Sequence, residues 1–111
     1  DNGIIAALGS DSPVIEADPM IGLYGAMTRS DKCSGTVAGK GQCIGIIDAI
    51  RMYTYNGAYA SLEEDIKGSI EPGKLADLVV LSENILETPV EKIKSVKADM
   101  TVIDGEIVYE R

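Results

Sequence analysis

The most constraining feature of this sequence is a short apolar run near its start, GIIAALG, which covers residues 3–9. A continuous apolar run bounded by glycines is typical of a β-strand that is buried on both faces in a parallel sheet. A parallel neighbour requires another strand and a crossover connection, and no such unit precedes the run. Since the chain also begins with aspartate rather than methionine, we expect it to be part of a longer protein that supplies the neighbouring strand.

Two helical segments are expected after this run. Asp18 and Pro19 predict a helix start, because the aspartate can cap free amides and proline suits the first helical position. Apolar residues then recur at helical spacing up to about Arg29. Residues 30–45 are rich in Gly, Ser, Thr and Lys, which is typical of a mobile surface loop, and they do not match a phosphate-binding GxxxxGK[ST] motif.

The second helix is expected to begin at Ile46 and to end near Asn56 and Gly57, where a left-handed residue would close it. A shorter helical turn is expected over residues 58–65, with Ser61 as its cap and acids in its first turn.

The last third of the sequence has the character of a small all-β unit. Pro72 and Gly73 stand in the order that a type II turn requires. The following LADLVVL, residues 75–81, is apolar enough to predict a largely buried strand. Near the end, Asp104 and Gly105 separate two β-rich runs and predict a hairpin with a type I′ turn.

Composition excludes several classes of function. The chain has 18 acidic and 10 basic residues and a net charge of −8, which argues against a nucleic-acid-binding surface. It contains no tract long enough to span a membrane, and we expect no signal peptide within it. It also has no histidine, so the usual general base and the commonest metal ligand are both missing. The spacing of Cys33 and Cys43 fits neither a CxxC pair nor half of a zinc site, and two unlinked thiols suit a cytoplasmic protein.

Several segments together resemble one family. They are GSDSPV after the apolar run, a helix that closes with TR, IRMYTYNGAYAS, IKGSIEPGKLADLVVL and VIDGEIVYER. In this order they are similar to the C-terminal end of the amidohydrolase superfamily, in its amidohydrolase-3 or YtcJ-like branch. The likeness covers nearly the whole chain, and GSIEPGKLADLVVL is its most specific part.

The resemblance implies an α/β fold made of two parts. Residues 1–66 would be the end of a (β/α)8 barrel, with Ile4 to Leu8 as the eighth strand and the helices that follow it. Residues 67–111 would be the C-terminal part of a small composite β-sandwich, whose other strands come from the segment before the barrel.

Asp11 is the candidate site residue. From the residues alone, its carboxylate could simply cap the amides of Ser12 or a neighbour, because such turns are common. The resemblance implies instead that Asp11 is the acid after the eighth strand, which acts as general base and proton shuttle and as a possible metal ligand. Such groups lie at this end of barrel strands.

Other candidates have simpler interpretations. Ser10 and Ser12 flank the acid, but no histidine is available to activate either hydroxyl. Arg29 could reach a substrate anion, although a basic residue at a helix end is also favoured by the helix dipole. Four acids are expected to be solvated on helix surfaces: Asp48, Glu63, Glu64 and Asp65. Four aromatic residues are expected to serve packing: Tyr24, Tyr53, Tyr55 and Tyr59.

The resemblance implies a metal-dependent hydrolase that cleaves the C–N bond of a small amide-type substrate. The divalent metal, which is usually zinc in this family, would be held by histidines earlier in the protein. One carboxylate cannot replace the three protein ligands that a catalytic zinc takes. We therefore expect this chain alone to bind no metal, to be inactive and to self-associate or join the remainder of its own chain. The alternative hypothesis is a stand-alone, non-catalytic α+β interaction module that binds through exposed strand edges or helix faces. The substrate does not follow from the sequence.

Overall fold

A computed structural model describes residues 3–30 and 35–111. These residues form a small α/β unit with a three-stranded antiparallel sheet. The helices are α1 (Pro19–Thr28), α2 (Ile46–Tyr53) and α3 (Tyr55–Ala60), and the strands are β1 (Leu78–Leu81), β2 (Ala98–Ile103) and β3 (Glu106–Glu110). Two short 3-10 helices cover Lys40–Gln42 and Val90–Ser95. No helix in the described ranges has the length and apolar character needed to cross a membrane.

The apolar run at the start does not form the buried strand that its sequence predicts. Ile4 is 81% exposed and Ile5 is 51% exposed. The segment is held to the α2–α3 region by two bonds, from the Leu8 amide to the Met52 carbonyl (3.0 Å) and from the Asn56 side chain to the Ala6 carbonyl (2.8 Å). A strand requires a ladder partner, and no described strand lies beside this one.

Helix α1 begins and ends as its sequence predicts. The Asp18 carboxylate accepts a hydrogen bond from the Met20 amide at 2.9 Å, and Pro19 is the first helical residue. The helix ends at Arg29, which adopts a left-handed conformation with φ 54° and donates its amide to the Gly25 carbonyl.

The predicted end of the second helix is wrong. Helix α2 stops at Tyr53, where Thr54 leaves the helical region with φ −115° and ψ −91°. Helix α3 then continues through Gly57, which keeps an ordinary negative φ. The helical turn expected over residues 58–65 is present in part, since residues 58–60 belong to α3, but Ser61 does not start it. Ser61 instead ends α3, and its hydroxyl bonds back to the Ala58 carbonyl at 3.0 Å.

Both predicted turns of the β unit are confirmed. The Lys74 amide donates to the Glu71 carbonyl at 3.2 Å across Pro72 and Gly73, and the φ of Gly73 is +93°. Asp104 and Gly105 have φ values of 50° and 81°, as a type I′ turn requires.

The sheet has the order β1-β2-β3, and both of its pairs are antiparallel. The burial predicted for β1 is wrong in this structure, since Val79 is 54% exposed and Val80 is 51% exposed. The reason is that β1 is an outer strand, so its apolar side chains have neighbours on one side alone.

The hydrophobic core lies between the helices and the segment that links β1 to β2, rather than on the sheet. Its buried residues are Met20, Leu23, Ala49, Ile85, Ile93 and Val96. Ile93 is 0% exposed and lies in the 3-10 helix at Val90–Ser95, and Val96, which is 1% exposed, directly follows that helix. The sequence patterns did not predict this 3-10 helix. The core therefore joins residues from both expected domains, 1–66 and 67–111.

Candidate functional site

Asp11 lies in the loop that joins the first segment to α1. It is exposed and adopts a left-handed conformation with φ 55°. The turn is closed by its backbone, since the Val14 amide donates to the Asp11 carbonyl oxygen at 2.9 Å. The Ser12 amide donates to the Ser10 hydroxyl at 3.2 Å. Ser10, rather than the Asp11 carboxylate, therefore caps the Ser12 amide. The carboxylate is thus not the acceptor that organises this turn.

Asparagine and aspartate tolerate the left-handed conformation better than most residues, which explains why an acidic residue can stand at this corner of the loop. The peptide bond between Ser12 and Pro13 is cis. Because the turn is built by backbone groups and by Ser10, a change of Asp11 to asparagine would leave these bonds in place.

A cavity with a volume of 840 Å³ lies beside this loop, between it and one face of α1. Ser10 and residues 13–16 line it from the loop, Tyr53 lines it from α2, and Lys94 and Lys97 line it from the far side. Asp11 does not line the cavity, although its neighbours do. In the described chain the candidate acid and the adjacent concave surface are therefore separate.

The cations around this cavity have local partners. The Lys94 ammonium lies 4.2 Å from the centre of the Tyr24 ring, and the Lys97 ammonium lies 3.8 Å from the Asp18 carboxylate. Burial raises the pKa of the Tyr53 hydroxyl, so this phenol stays neutral at physiological pH. Tyr24 and Tyr53 also pack against the hydrophobic core, as the sequence predicts for both tyrosines.

Arg29 links the end of α1 to the loop beyond it. Its Nε donates to the Ala38 carbonyl at 3.2 Å, and its own carbonyl accepts from the Ala38 amide at 3.1 Å. These contacts support a structural role for Arg29 at the helix end.

The residues that the structure describes do not form a set that fits a catalytic metal. Within residues 3–30 and 35–111 there is no cluster of three or more His, Cys, Asp or Glu side chains that could hold one. Cys43 is a free, exposed thiol, and Cys33 lies outside the described residues. Asp11 alone supplies one carboxylate, whereas a catalytic zinc takes three protein ligands.

The acids that were expected to be solvated include one ion pair. Glu63 bonds to Lys67 at 2.7 Å, and this bond, with a second from Ser61, lowers the pKa of the Glu63 carboxyl.

Tyr55 lies near two cations, Arg51 at 5.1 Å and Lys74 at 5.7 Å from its ring centre.

Sequence reasoning missed two polar side chains that organise the second half of the chain. The Lys74 side chain is 11% exposed and donates to the Ser69 hydroxyl at 2.7 Å, and it pairs with Glu71 at 3.1 Å. Asp77 accepts from the Asp104 amide at 2.9 Å and so ties the start of β1 to the hairpin turn. Both residues lie in GKLAD, within the segment most specific to the family, and that specificity was the one signal in the sequence that could have pointed to them.

The comparisons with known proteins cover nearly all of the chain. The sequence profile described as "Amidohydrolase family" matches residues 1–109. YtcJ of Bacillus subtilis (strain 168), which carries the name of an amidohydrolase, is 33% identical over 98% of this chain and 21% of its own length. The N-substituted formamide deformylase of Arthrobacter pascens is 32% identical over 100% of this chain and 20% of its own length.

A solved structure agrees with these sequence matches. The crystal structure of an amidohydrolase from Thermotoga maritima MSB8 is similar to this chain with a TM-score of 0.71 and 31% identity, over 98% of this chain and 24% of the other. The chain thus spans about one fifth of the length of the curated relatives it matches. The resemblance found in the sequence motifs is confirmed, and the chain belongs to the amidohydrolase family.

Proposed function

We propose that this chain is the C-terminal portion of an amidohydrolase that hydrolyses a C–N bond in a small amide-type molecule. The observation that carries the proposal is the family match over residues 1–109, which leaves almost no residue outside it. A relative named as a deformylase of N-substituted formamides supports the substrate class.

The proposal assigns residues 1–66 to the end of the barrel and residues 67–111 to the composite β-sandwich. The exposed apolar side chains of the first segment support this assignment. Ile4 and Ile5 have the sequence of a buried strand and lack a ladder partner among the described residues. In the complete enzyme a neighbouring barrel strand would pair with this segment, and the elements packed on the two faces of the sheet would bury both side chains.

Asp11 is proposed as the catalytic acid and base. Its carboxylate is exposed, and the turn that carries it is closed by other groups, so the carboxylate is available to a reacting water. It would take a proton from the water as the C–O bond forms and return it to the nitrogen as the C–N bond breaks.

The divalent metal implied by the family, zinc, would have to be held mainly by residues elsewhere in the protein. The described residues hold no cluster that could bind it, so the isolated chain is expected to be inactive. It is also expected to self-associate, because exposed apolar surfaces rarely stay uncovered. The alternative of a stand-alone interaction module loses support from the family match over the whole chain.

The test is a pair of variants in the complete gene product, assayed for release of formate from an N-substituted formamide and for release of ammonia from simple amides. Asp11→Asn should lower kcat by about 100-fold or more, the range of general acid–base catalysis. Asp48→Asn is the matched control, because Asp48 is an exposed acid on α2, and it should leave kcat unchanged. Equal activity of the Asp11→Asn variant and the wild type would refute the role of Asp11.

A further inference from the structure

The loop that carries Asp11 is closed by its own bonds. The Val14 amide donates to the Asp11 carbonyl, and the Ser12 amide donates to the Ser10 hydroxyl. Such bonds fix the shape of the turn but not its place in the molecule, which depends on the segments at its two ends. One end leads into α1, which packs into the core, and the other leads back to the first segment (residues 3–9), which has no strand partner among the described residues.

Two hydrogen bonds fasten the first segment to the helices beside it. The Leu8 amide donates to the Met52 carbonyl at 3.0 Å, and the Asn56 Nδ2 donates to the Ala6 carbonyl at 2.8 Å. Both anchored residues of the segment lie within five positions of Asp11. The first bond joins two backbone groups, whereas the second is made by a side chain, so substitution of Asn56 removes it.

The start of α3 gives the Asn56 side chain a fixed base. Because α3 begins at Tyr55, Asn56 lies in its first turn, and it is half-buried. The Gly68 backbone packs so closely against this turn that an added Cβ would lie 3.1 Å from the Tyr55 Cα. A side chain on an anchored helical turn holds its partner more precisely than a side chain on a loop does.

The bond from Asn56 is compatible with the barrel strand proposed for the first segment. A backbone carbonyl oxygen has two lone pairs and can accept two hydrogen bonds. The Ala6 oxygen can therefore accept from Asn56 and from a neighbouring strand in the complete enzyme.

We propose that Asn56 is a positioning residue for the reaction, which holds the Ala6 carbonyl and thereby sets the position of the Asp11 carboxylate. This inference rests on the proposed function in one respect, that Asp11 is the catalytic acid and base. Asn56 acts through the backbone of the first segment and transfers no proton itself.

The test compares Asn56→Asp with the wild type in the complete gene product, with formate release from an N-substituted formamide as the assay. An ionised aspartate has nearly the shape of asparagine but no donor, so it loses the bond to Ala6. Displacement of a catalytic group by about 1 Å can cost about 100-fold in rate. On that scale kcat should fall at least about tenfold, while KM stays within about twofold.

Asn84→Asp is the matched control. It introduces the same charge, but its carboxylate can still accept from the Leu86 amide, which donates to the Asn84 side chain at 3.2 Å. This variant should keep the wild-type kcat. A wild-type kcat in Asn56→Asp as well would overturn the proposal.

The same substitution in the Asp11→Asn protein separates positioning from a general structural role. A residue that acts through the Asp11 carboxylate has nothing left to position once that carboxylate is gone. Asn56→Asp should therefore lower the residual kcat far less in this background than in the wild type. An equal fold-decrease in both backgrounds would overturn the proposal.

Hydrogen–deuterium exchange measures the anchor without activity. In Asn56→Asp the Leu8 amide should exchange about two- to tenfold faster than in the wild type, the factor that one hydrogen bond contributes. Unchanged exchange would show that other groups hold the segment and would overturn the proposal. Asn56→Ala repeats both measurements without a new charge, and alanine favours a helix, so a folding defect of Asn56→Asp does not decide the result.

The two kinds of failure are distinguishable. Wild-type activity of Asp11→Asn, together with faster exchange at Leu8 in Asn56→Asp, would refute the proposed role of Asp11 and confirm the anchor. Loss of activity in Asp11→Asn with unchanged exchange and kcat in Asn56→Asp would leave the proposed function standing and overturn the role of Asn56.

Discussion

Gly68 is the position where the structure makes the sharpest stability prediction. Its φ is +92°, a conformation that costs a residue with a Cβ about 1–2 kcal/mol. A Cβ added there would lie 2.7 Å from the Ala58 Cβ, 3.1 Å from the Tyr55 Cα and 3.3 Å from the Thr54 carbonyl oxygen. Because two of these three atoms belong to the backbone at the start of α3, they cannot rotate away.

Gly68→Ala should therefore combine two costs. Overpacking a filled site typically costs about 1–3 kcal/mol, so with the backbone term the free energy of unfolding should fall by about 2–5 kcal/mol. Gly73→Ala is the matched control, because its φ is +93° and a Cβ there would meet nothing within 4 Å. It should cost the backbone term alone, about 1–2 kcal/mol.

The assay is urea unfolding of the 111-residue chain and both variants, followed by far-ultraviolet circular dichroism. The midpoint should fall in the order wild type, Gly73→Ala, Gly68→Ala, with similar slopes. If Gly68→Ala is no less stable than Gly73→Ala, the packing of the residue 68 backbone against α3 is refuted.

Two further predictions concern polar contacts. Asp77→Ala should lower the free energy of unfolding by about 1 kcal/mol, because it removes the acceptor for the Asp104 amide. The same urea titration measures this change, and an unchanged free energy of unfolding would contradict a stabilising role for the bond. Lys67→Met should raise the pKa of the Glu63 carboxyl toward its ordinary value, as measured by NMR titration, because the bond from Lys67 is the main cause of its lowering. Because the pKa of Glu63 is lower in the folded state, its carboxylate stabilises the fold above the unfolded-state pKa, and this contribution is lost as the pH falls through the folded-state pKa. An unchanged Glu63 pKa in the variant would exclude the ion pair as the cause of the lowering.

Features that depend on a few adjacent residues could be predicted from the sequence. The start of α1 follows from Asp18 and Pro19, because the cap and the fixed proline φ act within one helical turn. The turn at Pro72 and Gly73 and the hairpin at Asp104 and Gly105 follow from the φ values that these residues allow. Family membership followed from motifs that kept their order along the chain.

Within the candidate site, the sequence singled out Asp11 but could not place it. The exposed carboxylate, the left-handed backbone and the Ser10 cap follow from the three-dimensional course of the loop. The specificity of the GKLAD motif draws attention to Lys74, but its contacts with Ser69 and Glu71 could not be predicted, because a lysine in a turn is ordinarily solvated.

The sequence by itself determined the turns, the helix cap and the family, because each rests on local backbone restrictions or on residue identity. Tertiary structure alone decided that α2 breaks at Thr54, that residues 3–10 form no strand here and that β1 is half exposed. It also decided that the core joins α1 to the 3-10 helix at Val90–Ser95. The physical reason is that burial and strand pairing depend on which distant residues come into contact, and local patterns carry no information about those partners.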